Sequence, residues 1–125
     1  MSYARFGRCE LALCAFVVWL CVLLGCNAER RKSDAELRLT AQQGAGRQIY
    51  DLYCDRCHEP YSSSAKQGPS LKGILRKPYM PLSGFPTNDE RTGEIIRNGW
   101  GKMQGFGRVL SPEQVQDLLA YMHTL

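Results

Sequence analysis

The sequence predicts an all-α domain of about three helices, and three observations support that fold class. The 125 residues suffice for one domain, and 44% hydrophobic with 22% charged residues is an ordinary globular composition. Apolar side chains recur at helical spacing near both ends of residues 44–125, flanked by signals for helix starts and ends. No segment shows a convincing strand pattern or an internal repeat.

The first two helices are expected at about 44–57 and about 89–98. Within the first, Ile49, Leu52 and Tyr53 are spaced to lie on one face of a helix. The second is expected to end at Asn98-Gly99, because glycine commonly follows the last helical residue. The loops between them are rich in proline, glycine and serine.

The third helix is expected at about 112–124. Ser111 is a favourable N-cap, Pro112 suits the first helical position, and Gln114 completes a capping box. Its apolar stripe indicates a face turned to the core and comprises Val115, Leu118, Leu119 and Met122.

An apolar N-terminal stretch precedes this domain. Arg5 and Arg8 are followed by 14 apolar residues, from Leu11 to Leu24. That run is shorter than the roughly 20 residues that a membrane-spanning helix needs, but it fits the centre of a secretory signal peptide. We therefore expect residues 1–25 to be a signal peptide that directs export.

The end of this N-terminal stretch, Leu23-Leu24-Gly25-Cys26, resembles the bacterial lipoprotein signal. That resemblance implies cleavage before Cys26 and a diacylglycerol on its sulfur. Residues 26–43 are then the lipidated cysteine and a charged linker, since seven of the 17 residues in 27–43 are charged. A plain signal peptide or an uncleaved anchor is the alternative, which would give a soluble periplasmic or an N-terminally anchored protein.

Two details of the linker bear on its behaviour. Ser33 to Glu36 matches a capping box, so a short helix is expected to begin at Ser33. The basic run Arg30-Arg31-Lys32 could contact anionic lipid. The whole chain carries a net charge of only +4, which is too weak to indicate a nucleic-acid partner.

The six cysteines exclude two classes of protein. Three of them lie in the predicted signal peptide, and Cys26 is the predicted lipid site, so only Cys54 and Cys57 remain. Two cysteines cannot form a disulfide-dense scaffold or a four-cysteine zinc site.

Residues 54–58 form the motif Cys-x-x-Cys-His, which is the attachment signature of c-type haem. Thiols three residues apart can each add to one vinyl group of a single haem, and His58 then lies under the iron. A thioredoxin-like redox pair or half of a zinc site is the alternative. The first is expected near a βαβ pattern and the second needs two more ligands, and neither is visible.

Around this motif the chain resembles class I cytochrome c, a monohaem family with bacterial members. Gly46 and Tyr50 match the family's Gly-x-x-x-aromatic pattern, which implies that an N-terminal helix crosses a C-terminal helix at the glycine. Gly68-Pro69-Ser70-Leu71 matches its Gly-Pro-x-Leu stretch. The resemblance implies that the Pro69 carbonyl accepts a hydrogen bond from His58, and that Leu71 supports the haem pocket.

The second axial ligand of the iron is expected to be Met103. It lies in a segment, residues 99–107, with four glycines in nine residues, and Trp100 and Phe106 flank it as pocket residues. In class I cytochromes the ligand often precedes a proline, where this chain has Gln104. Met80 does precede a proline, but it follows His58 by only 22 residues, against 45 for Met103.

Other candidates for this position remain in view. Met122 is expected in the core and His123 at the surface, and an open iron site is a further alternative. The resemblance otherwise implies a one-electron carrier, not an enzyme, with one covalent haem c and its iron. Its expected partners are redox proteins and, through Cys26, a membrane on the periplasmic side. A haem enzyme or gas sensor, and a subunit of a larger oxidoreductase, are the competing hypotheses.

Overall fold

The computed structural model describes residues 31–125, and the fold it shows is helical. The predicted signal peptide, residues 1–25, and the predicted lipid site at Cys26 lie outside the described residues. The elements in chain order are α1 (Asp34–Leu37), α2 (Ala41–Tyr53), a 3₁₀ turn (Ile74–Arg76), α3 (Asp89–Asn98), β1 (Gly99–Trp100), β2 (Met103–Gln104) and α4 (Pro112–Met122). No helix within residues 31–125 is long and apolar enough to cross a membrane.

The packing of α2 against α4 forms the centre of the core. Gly46 allows the two backbones to meet, because a Cβ atom there would lie 1.9 Å from the Asp117 carbonyl oxygen. One turn further along α2, the Tyr50 ring packs edge-on against Tyr121 of α4, with centroids 5.4 Å apart. Both tyrosines are fully buried. The helix crossing that the resemblance implied therefore has a direct steric basis in this chain.

Local sequence signals explain most helix ends. The third predicted helix begins at Pro112 behind a complete Ser111–Gln114 capping box, and the second spans residues 89–98 as expected. The first begins at Ala41, earlier than expected, because Thr40 and Gln43 form another capping box. It ends at Tyr53, before the haem motif, since the Cys57 and His58 amides both donate to the Cys54 carbonyl in a tight turn.

A hairpin of two short strands, β1 and β2, follows α3, where the sequence predicted no strand. Trp100 pairs with Met103 and Gly99 with Gln104 in an antiparallel ladder. Gly99 has a φ of 81°, and a Cβ atom there would lie 2.5 Å from the Met103 carbonyl oxygen. Only glycine tolerates both conditions, so it fixes the turn from α3 into the methionine segment.

The segment that we expected to be a linker is folded over residues 33–43. The Ser33–Glu36 capping box forms as predicted and starts α1, and the remaining residues lead into α2. Leu37 and Leu39 are partly buried against the core. Burial of these two leucines is the physical reason that this part of the chain is not a solvated coil.

The crossing at Gly46 gives a testable prediction. Substitution Gly46→Ala forces the α2 and α4 backbones apart and is expected to lower the free energy of unfolding by about 1–3 kcal/mol. Chemical denaturation followed by far-ultraviolet circular dichroism measures this change. The matched control is Gly44→Ala on the same helix, where an added Cβ meets nothing within 4 Å. Alanine there should raise stability by about 0.5–1 kcal/mol, and equal effects of both variants would contradict the crossing.

Candidate functional site

Three contacts hold His58 in place after the turn that ends α2. Its Nδ1–H donates to the Pro69 carbonyl oxygen at 2.8 Å. The Tyr50 hydroxyl donates to the His58 carbonyl oxygen at 2.9 Å. Gly68 lies against the ring, since a Cβ atom there would be 2.4 Å from His58 Cε1. With Nδ1 protonated and engaged, Nε2 is the nitrogen with a lone pair for a metal.

His58 lines an open cleft. Its other lining side chains come from the haem motif, the loops, α3, the hairpin and α4, and nearly all are apolar: Cys54, Leu71, Ile74, Met80, Thr92, Ile95, Ile96, Met103, Leu118 and Met122. An apolar group is therefore the kind of ligand that this cleft fits.

The two thiols of the motif are free and differ in environment. Cys54 lines the cleft, and burial, followed by the nearby Cys57 and Asp55, raises the pKa of its thiol to about 12. Cys57 Sγ lies 3.5 Å from Gln67 Oε1 at the surface. This raised pKa disfavours the thiolate at Cys54. Among residues 31–125 no group of three or more His, Cys, Asp or Glu side chains is placed to hold a metal ion.

Two methionines that were candidates for the iron, Met103 and Met80, line the same cleft. Met103 is held by the β1–β2 ladder and packs against the hydrophobic core. Met80 lies in a loop that closes on itself, with its amide donating to the Phe85 carbonyl at 2.8 Å. Met122 is buried in α4 and also reaches the cleft. His123 is exposed and lies 2.8 Å from Asp89, away from these residues.

The predicted pocket residues have different placements. Leu71 lines the cleft, while Pro69 and Tyr50 act through His58. Trp100 is 42% exposed and packs edge-on against Phe85, and Phe106 is buried beside Tyr53. Neither of these two rings is among the cleft-lining side chains.

Thr92 is a cleft residue that sequence reasoning missed. It is buried in α3, and its Oγ1 has no hydrogen-bond partner within the described part of the chain. It faces the cleft together with Ile95 and Ile96, which follow it by three and four residues. A single threonine on a helix face carries no sequence signal that distinguishes it from an ordinary surface residue.

The residues present fit a covalently attached haem. Two thiols stand at attachment spacing, His58 has an oriented ring with Nε2 available, and a methionine sulfur lines the same apolar cleft. The unpartnered Thr92 hydroxyl also indicates that a group with a polar atom completes this cleft. Cys54 and Cys57 would hold the group covalently, while His58 and a methionine would bind its iron.

Comparison with known proteins identifies the family. Residues 41–122 match the family described as cytochrome c oxidase, cbb3-type, subunit III. The chain is also similar to cytochrome c6 of Picosynechococcus sp., with 27% identity over 84 residues that cover 66% of this chain and 72% of that protein. No solved structure gives a significant match.

The family match determines the cofactor and the class of activity. It spans both thiols, His58 and all three candidate methionines, so it covers the whole cleft. Proteins of this kind carry covalently bound haem c with its iron and transfer electrons. The chain therefore belongs to the cbb3-type cytochrome c family and is a monohaem class I cytochrome c.

Proposed function

We propose that this cytochrome is an electron carrier whose iron is bound by His58 and Met103, and that a lipid on Cys26 tethers it to a membrane outside the cytoplasm. The observation that carries the proposal is the shared cleft, in which an oriented histidine and a core-packed methionine are brought together. Haem c, when bound, supplies a reversible one-electron couple. With both side chains bound, no coordination position is left for a substrate.

The protein's own residues set the properties of the site. Pro69 fixes the orientation of the His58 ring and makes its Nε2 a better donor. The lining is nearly all apolar, and the soft sulfur of Met103, once bound to the iron, would favour the reduced state. These features suit a protein that gains and loses an electron with little rearrangement.

Packing supports Met103 over Met80 as the second ligand. Met103 is anchored in the β1–β2 ladder and against the core, whereas Met80 is held by its own loop. Gln104 stands where the family often has proline, and it pairs with Gly99 in the ladder. Backbone pairing thus offers the rigidity that a proline would otherwise provide.

The partners follow from the tether and from the family. The family description names an oxidase subunit, so we propose that this chain exchanges electrons with membrane-bound redox proteins. A place as a subunit of such an oxidoreductase is the second candidate, and the same description favours it. A lipid anchor would raise the effective concentration of the haem domain at either kind of partner.

The ligand assignment is tested with Met103→Ala. The variant is expected to lose the weak far-red absorption of ferric methionine ligation and to bind carbon monoxide when reduced. Its reduction potential should fall by a sizeable part of the roughly 0.8 V range that axial ligands control. Visible spectroscopy and redox titration measure these changes. Met80→Ala is the matched control and should keep the wild-type spectrum, while the opposite pattern would assign the iron to Met80. Carbon monoxide binding by the wild-type protein would favour a gas sensor.

The role of Thr92 is tested by comparing two threonines. The Thr92 and Thr87 hydroxyls both lack a partner in residues 31–125, but only Thr92 lines the cleft. If the Thr92 hydroxyl bonds to the bound haem group, Thr92→Val should lower the stability of the holoprotein by about 0.5–1.5 kcal/mol and shift its potential. Thr87→Val should leave the potential unchanged. Equal behaviour of the two variants in denaturation and redox titration would refute this role.

The tether is tested with Cys26→Ser in an exporting bacterial host. We expect the wild-type protein to fractionate with membranes and to carry the mass of a lipid on its first residue. The variant should be released in soluble form with an unchanged visible spectrum, because the haem site does not involve Cys26. Membrane fractionation and intact mass spectrometry give the answer. A wild-type protein without lipid would remove the anchor from the proposed function and leave electron transfer intact.

A further inference from the structure

We propose that residues 31–39, here called the leader segment, are docked along α2 by ion pairs, hydrogen bonds and apolar contacts, an arrangement here called the clamp. The clamp holds the end of α2 that carries the haem motif close to the membrane. The partner that fits this arrangement is a redox protein embedded in the membrane, which meets the haem domain at the bilayer surface. The membrane half of this inference rests on the proposed lipid at Cys26. The clamp itself does not, since it follows from contacts between described residues.

Arg47 is the first point of attachment. Its side chain is only about a tenth exposed, and it donates to Asp34 Oδ1 at 2.5 Å and to the Lys32 carbonyl oxygen at 2.6 Å. A guanidinium buried to this extent needs charge and hydrogen-bond partners, and the leader segment supplies both. Release of the leader would therefore leave Arg47 without these partners.

Arg31 is the second point of attachment. It forms ion pairs with Asp51 on α2 and, at 3.6 Å, with Asp55 inside the haem motif. Arg47 and Asp51 are four residues apart and lie on one face of α2, and Asp55 lies in the turn that follows the helix. Leu37 and Leu39 add apolar contact with the core behind these charges.

The order of these contacts gives the leader a direction. Asp34 meets Arg47 near the middle of α2, whereas Arg31 meets residues at the end that carries the haem motif. The leader therefore runs antiparallel to α2, and its N-terminal end points towards the haem motif. The ion pairs of Arg31 also offset its charge. In the sequence, Arg31 belongs to the basic run that was a candidate for contact with anionic lipid.

The clamp limits how far the haem motif can stand from the lipid. Five residue steps separate Cys26 from Arg31, and a chain extends by at most about 3.6 Å per residue, which gives about 18 Å. A wholly free linker over residues 27–43 could extend about 60 Å. The clamp thus confines the domain to the bilayer surface. It also favours membrane-embedded partners over soluble ones, because only the former share that layer.

The clamp is tested by hydrogen exchange on the holoprotein. The amides of Leu37, Arg38 and Leu39 bond to carbonyls within the leader and should be protected while it is docked. Asp34→Ala should speed their exchange by about tenfold with an unchanged visible spectrum, and Asp34→Glu should restore part of the protection. Glu90→Ala, an exposed carboxylate variant on α3, is the matched control and should change nothing. Unprotected amides in the wild-type protein would overturn the clamp.

The orientation is tested with lipidated protein on phosphatidylcholine vesicles that contain a headgroup-labelled fluorescent lipid. The haem of the wild-type protein should quench this fluorescence strongly. A ten-residue Gly-Ser insertion between Arg30 and Arg31 should reduce quenching several-fold, and Asp34→Ala should reduce it too. Equal quenching by all three proteins would overturn the orientation. If mass spectrometry finds no lipid on Cys26, the membrane half fails with the proposed anchor, while hydrogen exchange still decides the clamp.

Discussion

The close approach of α2 and α4 at Gly46 is the constraint on which the rest of the structure depends. The Asp117 carbonyl occupies the space where any larger residue would place its Cβ atom. Because the backbones meet there, Tyr50 and Tyr121 come into edge-on contact one turn further along. Burial is the main cause that raises the pKa of both phenols.

That crossing also positions the haem site. The Tyr50 hydroxyl bonds to the His58 carbonyl, and the Tyr121 hydroxyl shares a hydrogen bond of 2.7 Å with Tyr61 in the loop after the motif. His58 itself and the loop that follows it are therefore tied to the two central helices. Leu118 and Met122 of α4 then form part of the cleft that faces the histidine. The same helix pair thus builds the core and one part of the lining.

A few contacts pack the N-terminal segment onto the domain, although its composition predicts a linker. Read by composition, residues 27–43 are a charged linker with few large apolar side chains. In the structure, Arg47 and the two leucines, Leu37 and Leu39, draw residues 31–39 onto the domain. The folded part of the chain therefore begins before residue 44.

The sequence by itself determined the features that neighbouring residues encode. The haem motif, the α3 and α4 helices and the Ser33 capping box depend on residues at most a few positions apart, so spacing and capping chemistry suffice to find them. Tertiary structure alone decided that Met80 and Met103 share one cleft, that Thr92 faces it without a partner, and that Arg47 holds Asp34. Met80 and Met103 are 23 positions apart and Asp34 and Arg47 are 13 apart, while the placement of Thr92 depends on how whole helices pack. No local pattern carries that information, because it arises only when the α2–α4 crossing brings distant segments together.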